Sequence, residues 1–228
     1  LAQSDMKRLI AYSSVSHLGY CMLGLFAFNR LGMEGGALQM INHGISTGGL
    51  FACVGMIYER YHTRQISDLG GLAKRVPLLA PMMVCFTFSS IGLRGLHGFV
   101  GEPLVLLGMF QRGWATTDAA GPPAALAGQY QWISIRAVTG VVLGAWYMLW
   151  LVQRVFFGPL KEPHGDSHGH DDHHGEGHEI QDMNAREFAA LAPLCVFIIW
   201  IGIAPQYFLD RMAPQLNAIT DRAETALQ

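Results

Sequence analysis

From Pro77 to Phe110 the chain runs 34 residues with charged-type side chains only at Arg94, His97 and Glu102. Wound as one helix, that stretch would be about 51 Å long at 1.5 Å per residue. A bilayer's hydrocarbon core is only roughly 30 Å thick. The segment must therefore break, and Gly92, Gly95, Gly98 and Gly101 mark where. Glycine weakens a helix interior by about 1 kcal/mol relative to alanine and tolerates the backbone angles of an unwound turn. The expectation is two half-helices, 78–92 and 99–111. Broken membrane helices expose backbone groups and helix ends to a charge or a water-filled cavity, as in transporter ion sites. Glu102 is the acid such a site would use, because a carboxylate at membrane depth is retained for a pathway or a buried pair.

Composition agrees with a membrane setting. Of 228 residues, 51% are hydrophobic and 14% charged, whereas soluble domains carry about 25% charge. A net charge of −2 argues against nucleic-acid binding. Cys21, Cys53, Cys85 and Cys195 each sit in an apolar run without metal-ligand spacing, so they read as small buried hydrophobes. The chain begins with Leu1, and no signal peptide precedes the first apolar run, which suggests a piece of a longer polypeptide.

Four further spans flank the broken one. Leu9 to Phe28 and Ala37 to Tyr58 are free of formal charge except for one histidine each, His17 and His43, with a loop around Asn29 to Gly32 between them. Tyr130 to Val152 carries aromatic residues toward one end, as suits a membrane interface. Phe188 to Phe208 is the last. The fold class is thus all-α: a polytopic membrane protein of five transmembrane elements, one of them discontinuous. Residues 1–158 would form the membrane repeat with its broken helix at 78–111. Residues 159–187 would form a polar loop, and 188–228 the final helix and tail. One alternating set of loops holds Lys7, Arg8, Arg60, Arg64, Lys74, Arg75, Arg154, Lys161 and Arg186; the other holds Arg30, Arg112, Arg211 and Arg222. Lysine and arginine accumulate on the cytoplasmic side, so the first set faces inward and the broken helix runs outward.

Two histidines are candidates to share Glu102's chemistry. His43 stands mid-span among small and polar residues, with Gly44 and Gly48 forming a Gly-x-x-x-Gly pair suited to close helix approach. His17 follows a serine-rich stretch that can supply hydrogen bonds. Histidine exchanges protons near neutrality, but a neutral histidine satisfied by a neighbouring hydroxyl is the bland alternative for both. Lys7 and Arg8 most simply anchor their helix at the headgroups. His164, His168, His170, His173, His174 and His178 lie in a polar tract without fixed ligand spacing. It reads as a solvated cytoplasmic loop whose metal affinity is adventitious. There is no phosphate loop, dinucleotide fingerprint, nucleophile elbow or His-Glu-x-x-His motif.

The segments Gln3 to His17, His43-Gly44, Glu59 to Arg64, Gly70-Gly71-Leu72, Gly98 to Glu102 and Gln153 to Pro159 together resemble the M-type antiporter-like subunits of bacterial respiratory complex I. The resemblance covers nearly the whole chain apart from the histidine tract. It implies a subunit about twice this length, built from two inverted five-helix repeats, of which the second repeat and the C-terminal helix are present here. It implies a non-redox, proton-translocating role in NADH:quinone oxidoreductase within a bacterial inner membrane. Flavin mononucleotide, iron–sulfur clusters and quinone would be held by partner subunits, and none by this chain. The partners would be other membrane-arm subunits, including neighbouring antiporter-like ones. By position, Lys7, His17, His43 and Glu102 would belong to the proton pathway along the family's central polar axis.

The relatives' Gly-Leu-Pro-Gly becomes Gly92-Leu93-Arg94-Gly95 here, so glycine alone must break the helix. Arg94 and His97 are then possible modulators. The expectation is that Arg94 pairs with an acid of the unwound segment, Glu102 being the candidate, and slows its reprotonation. Alternatives are a subunit of an Mrp-type sodium/proton antiporter or energy-converting hydrogenase, or a non-conducting structural module.

Overall fold

A computed structural model of the chain describes residues 3–114, 124–163 and 180–227. Its helices are α1 (Met6–Phe26), α2 (Arg30–Tyr61), α3 (Leu79–Ser90), α4 (Gly98–Trp114), α5 (Ala124–Phe156), α6 (Ala185–Ile203) and α7 (Pro205–Leu227), with two short 3-10 turns at Ile66–Asp68 and Leu72–Lys74. Four of them, α1, α2, α5 and α6, are long and apolar enough to cross a bilayer by themselves. The fifth crossing is α3 plus α4, and the break falls where the glycines stand. Gly92 and Gly95 adopt φ of 73° and 91°, left-handed angles that strain any residue with a Cβ. Large apolar side chains such as Trp146 and Val142 point away from the bundle, 69% and 61% exposed, as on a lipid-facing surface.

Two element boundaries differ from expectation, each for a local reason. The turn between the first two spans is only about three residues, because Asn29 caps α2 by accepting from the Gly32 amide at 2.8 Å while its own amide donates to the Gly108 carbonyl at 2.7 Å. Gly32, expected in that loop, and Gly35 are packing notches within α2. A Cβ on Gly32 would lie 2.8 Å from the Gly24 carbonyl oxygen, and one on Gly35 would lie 2.7 Å from the Val105 nitrogen. The last span stops at Ile203, and Pro205 opens α7, an amphipathic helix in what had read as a tail. Its Leu209 packs with Leu38 and Ile201.

The main core joins Met6 and Ile10 of α1, Leu50 and Ile57 of α2, Met83 and Phe86 of α3, and Met148 and Leu151 of α5. It sits toward the face that gathers the basic loops. There, Asp5 bridges to Gln65 and Gly70 to Lys161 as isolated antiparallel pairs. Arg75 pairs with Glu162 at 3.1 Å, and Arg60 with Glu187 at 2.7 Å. Both described ends of the 159–187 loop are therefore anchored: Lys161 against Ser67, and Asp182 by accepting from the Leu78 amide at 2.7 Å. The histidines from His164 to His178 lie outside the described residues.

Candidate functional site

Glu102 occupies the second turn of α4 and is 4% exposed. Its position follows from the break. With α4 restarting at Gly98, the carboxylate swings back under Gly92, where an added Cβ would meet Oε2 at 3.2 Å. On its other side stands His17 of α1, whose Nδ1 is 3.5 Å from Glu102 Oε1. The opposite ring nitrogen, Nε2, lies 3.2 Å from the Ser90 hydroxyl. One imidazole thus touches the last residue of α3 and the second turn of α4, spanning the two halves of the broken helix.

His43 extends this group from α2. Its ring centroid is 5.1 Å from that of His17 with the planes inclined by 33°, and its Nδ1 is 3.0 Å from the Thr47 hydroxyl. Three titratable side chains from three helices therefore adjoin through His17: Glu102 on one side of it and His43 in ring contact with it. Beside them is a cavity of about 10 Å³ bordered by Ser16, His17, Tyr20, Ser90, Glu102 and Tyr147, near the smallest volume that seats one water molecule. At 3.5 Å the His17–Glu102 contact is longer than a hydrogen bond of ~2.7–3.2 Å. A shift of a few tenths of an ångström, or a water in the cavity, would join them.

The remaining expected residues fall elsewhere. His97 is 1% exposed and holds the break together: its ring nitrogens are 3.0 and 3.2 Å from the Ser89 hydroxyl, and its carbonyl accepts from Asn42 Nδ2 at 2.9 Å. Arg94 does not pair with Glu102. It is exposed, and its guanidinium lies 5.9 Å from the Phe99 ring centroid. The chain folds the carboxylate inward beneath Gly92 and leaves the tip of the unwound loop outside, so the two charges diverge. Lys7 is exposed at the start of α1, beside Phe51, Tyr58 and Arg64. Ten residues before His17, it lies about 15 Å away along the helix. Nor do Gly44 and Gly48 make a close helix contact among the described residues, since a Cβ at either would meet nothing within 4 Å.

Sequence reasoning passed over several members of this polar layer. Ser90 and Tyr147 sat in apolar surroundings with no motif to single them out. Gln39 and Asn42 were more legible. With Ser46 they stand at helical spacing on one face of α2, and all three are buried. Gln39 Oε1 and Asn42 Oδ1 have no protein hydrogen-bond partner, and a Cβ on Gly101 would come within 2.4 Å of the former. A second polar spot thus lies one turn from His43.

Comparisons with known proteins point the same way. Residues 1–125 match the family model described as NADH:quinone oxidoreductase/Mrp antiporter, TM. NADH-quinone oxidoreductase subunit M of Rhodobacter capsulatus is 41% identical over 95% of this chain and 36% of its own length. NADH-ubiquinone oxidoreductase chain 4 of Chondrus crispus is 38% identical over 93% and 37%. The chain thus spans little more than a third of these relatives. A chain of respiratory complex I from Thermus thermophilus superposes with a TM-score of 0.75 at 29% identity, covering 96% of this chain and 40% of that one. A chain of the Mrp complex from a Dietzia species reaches 0.74 at 24% identity, covering 98% and 44%, a likeness of fold alone. With its apolar crossings, its helix broken at Gly92 to His97 and a family match over more than half its length, this multi-pass membrane chain belongs to the NADH:quinone oxidoreductase/Mrp antiporter transmembrane family.

Proposed function

We propose that this chain is the second-repeat portion of an antiporter-like, M-type subunit of NADH:quinone oxidoreductase, and that it relays protons without redox chemistry of its own. The observation that carries the reading is the His17 imidazole, held between Glu102 and Ser90 across the break. An imidazole can take a proton on one ring nitrogen and release one from the other. A shift of α3 against α4 moves Ser90 and Glu102 relative to each other, so it changes which nitrogen has a partner. His43, in ring contact with His17, is the next station inward along the layer. Two protonated imidazoles 5.1 Å apart would repel, so a charge on one favours discharge of the other. Glu102 is the terminal acceptor on this side.

Lys7 belongs to the inner rim in this reading, as a headgroup anchor at the start of α1. Electron transfer from NADH to quinone, with its flavin mononucleotide and iron–sulfur clusters, belongs to partner subunits, and neighbouring antiporter-like subunits flank this one in a bacterial inner membrane. The oxidoreductase reading is preferred over an Mrp antiporter because the relatives at 41% and 38% identity carry oxidoreductase names.

The test is Glu102→Gln in the full subunit within the intact complex. Protons pumped per NADH oxidised should fall while the complex assembles and reduces quinone. Full pumping in that variant would remove Glu102 from the relay.

A further inference from the structure

The outward side of α5 carries one apolar stripe. Ile135, Val138, Val142, Trp146 and Leu149 recur at intervals of three or four residues, and all are exposed, so they share a helix face. From Ile135 to Leu149 the stripe runs about 21 Å along the axis, longer than one leaflet's half of a hydrocarbon core of roughly 30 Å. The next position on that face is Gln153, and there the surface turns polar and opens into a cavity of about 480 Å³ bordered by Ser67, Trp150, Gln153, Arg154, Phe157 and Lys161. One wall is fixed by Gly70 and Lys161, which exchange two backbone hydrogen bonds of 2.9 Å each, and by the Lys161 amine, which donates to the Ser67 carbonyl. On the other wall the Arg154 guanidinium lies 5.7 Å from the Trp150 ring centroid.

We propose that this cavity binds the headgroup of an anionic phospholipid, with the phosphate taken by Arg154 and Lys161 and an acyl chain laid along the α5 stripe. Charge selects the headgroup. Among the described residues neither cation is paired with a carboxylate, and the nearby acid, Asp68, accepts instead from the Thr63 and Ser67 hydroxyls at 3.1 and 2.9 Å. The Lys161 ammonium keeps two of its three protons for a ligand, and a guanidinium matches the geometry of phosphate oxygens. Two cations also repel the positive end of a zwitterionic headgroup, which favours a lipid with net negative charge. Continuity selects a lipid over a soluble anion. Trp150 and the exposed Phe157 flank the cations as aromatic residues do at a membrane–water interface, and the apolar stripe leads straight into the cavity. The site also stands on the face that gathers the basic loops, Arg154 and Lys161 among them.

The experiment uses the intact complex in vesicles of phosphatidylcholine containing a minor share of photoactivatable phosphatidylglycerol, with crosslinked peptides read by mass spectrometry. Label should enter the segment from Trp150 to Lys161 and be displaced by unlabelled phosphatidylglycerol, but not by inorganic phosphate. Arg154→Gln should raise the phosphatidylglycerol content needed for half-labelling by about fivefold, and Arg154→Gln with Lys161→Gln by about 25-fold, since each cation near an anionic headgroup contributes about that factor. Arg8→Gln, which removes a rim cation of α1 outside the cavity, should leave labelling unchanged. Absence of label from this segment, equal labelling by a phosphatidylcholine probe, displacement by inorganic phosphate, or an unchanged midpoint in Arg154→Gln would each overturn the lipid site. Because the Arg154 side chain is exposed, the single variant carries the test should the double variant fail to assemble.

Discussion

Gly92→Ala and Gly95→Ala form a matched pair of perturbations at the break. Both glycines have left-handed φ, 73° and 91°, and an L residue there is strained by about 1–2 kcal/mol. Each substitution should therefore lower the thermal midpoint of the membrane arm to a similar degree, since one to two kcal/mol changes a folded-to-unfolded ratio about 5–30-fold. Their surroundings differ. An added methyl at Gly95 meets nothing within 4 Å, whereas at Gly92 it meets Glu102 Oε2 at 3.2 Å. The carboxylate is the free end of a side chain and can yield by a few tenths of an ångström. That distance matters because the His17–Glu102 gap of 3.5 Å already exceeds a hydrogen bond of ~3.2 Å at most. Proton pumping per NADH, measured in proteoliposomes of the intact complex, should thus change in Gly92→Ala and be retained in Gly95→Ala. Equal pumping in the two variants, with equal stability, would refute the assignment of Gly92 as the seat of the Glu102 carboxylate.

Two further sets of substitutions test packing independently of function. Arg60 makes two bonds to Glu187, at 2.9 and 2.7 Å, and donates to the carbonyls of Met56, Gln181 and Asp182, with the ion-pair side chains 13% and 14% exposed. Arg60→Ala strands the partly buried carboxylate and should destabilise by about 1.5–3 kcal/mol, the range for a hydrogen bond to a charged group, while Arg60→Met combined with Glu187→Leu should recover part of that loss; a double variant no better than the single would contradict this, as read by thermal unfolding of the complex. Gly108→Ala would place a methyl 2.4 Å from the Gly32 amide nitrogen and should push α4 off α2, lowering the amount of assembled complex. Gly44→Ala, with nothing within 4 Å, serves as its control and gains the helix propensity of alanine, about 1 kcal/mol.

Some of the site could be read without coordinates because it depends on local chemistry. An over-long apolar run forces a break, glycine spacing locates it, and an acid inside that run marks the candidate site. Helix α3 ends at Ser90 and α4 starts at Gly98, close to the expected halves. The same reasoning misplaced Arg94, since nearness in sequence across an unwound turn says little about which side chains converge. It also placed Gly32 in a loop, because a glycine looks alike in sequence whether it bends the chain or lets two helices touch.

By itself, the sequence determined that this chain crosses a membrane, where its broken crossing gives way, and that Glu102, His17 and His43 are titratable groups inside its apolar spans. Those conclusions follow from helix length, hydropathy and the conformational freedom of glycine, which are properties of short stretches. Only the tertiary structure decided that His17 faces Glu102 and Ser90 at once, that His97 clasps Ser89 while Arg94 turns outward, and that Lys7 stays on the rim. Each of these depends on how helices distant in sequence rotate against one another. That rotation is set by notches such as Gly32 against Gly108 and Gly49 against Phe86, contacts that no single span encodes.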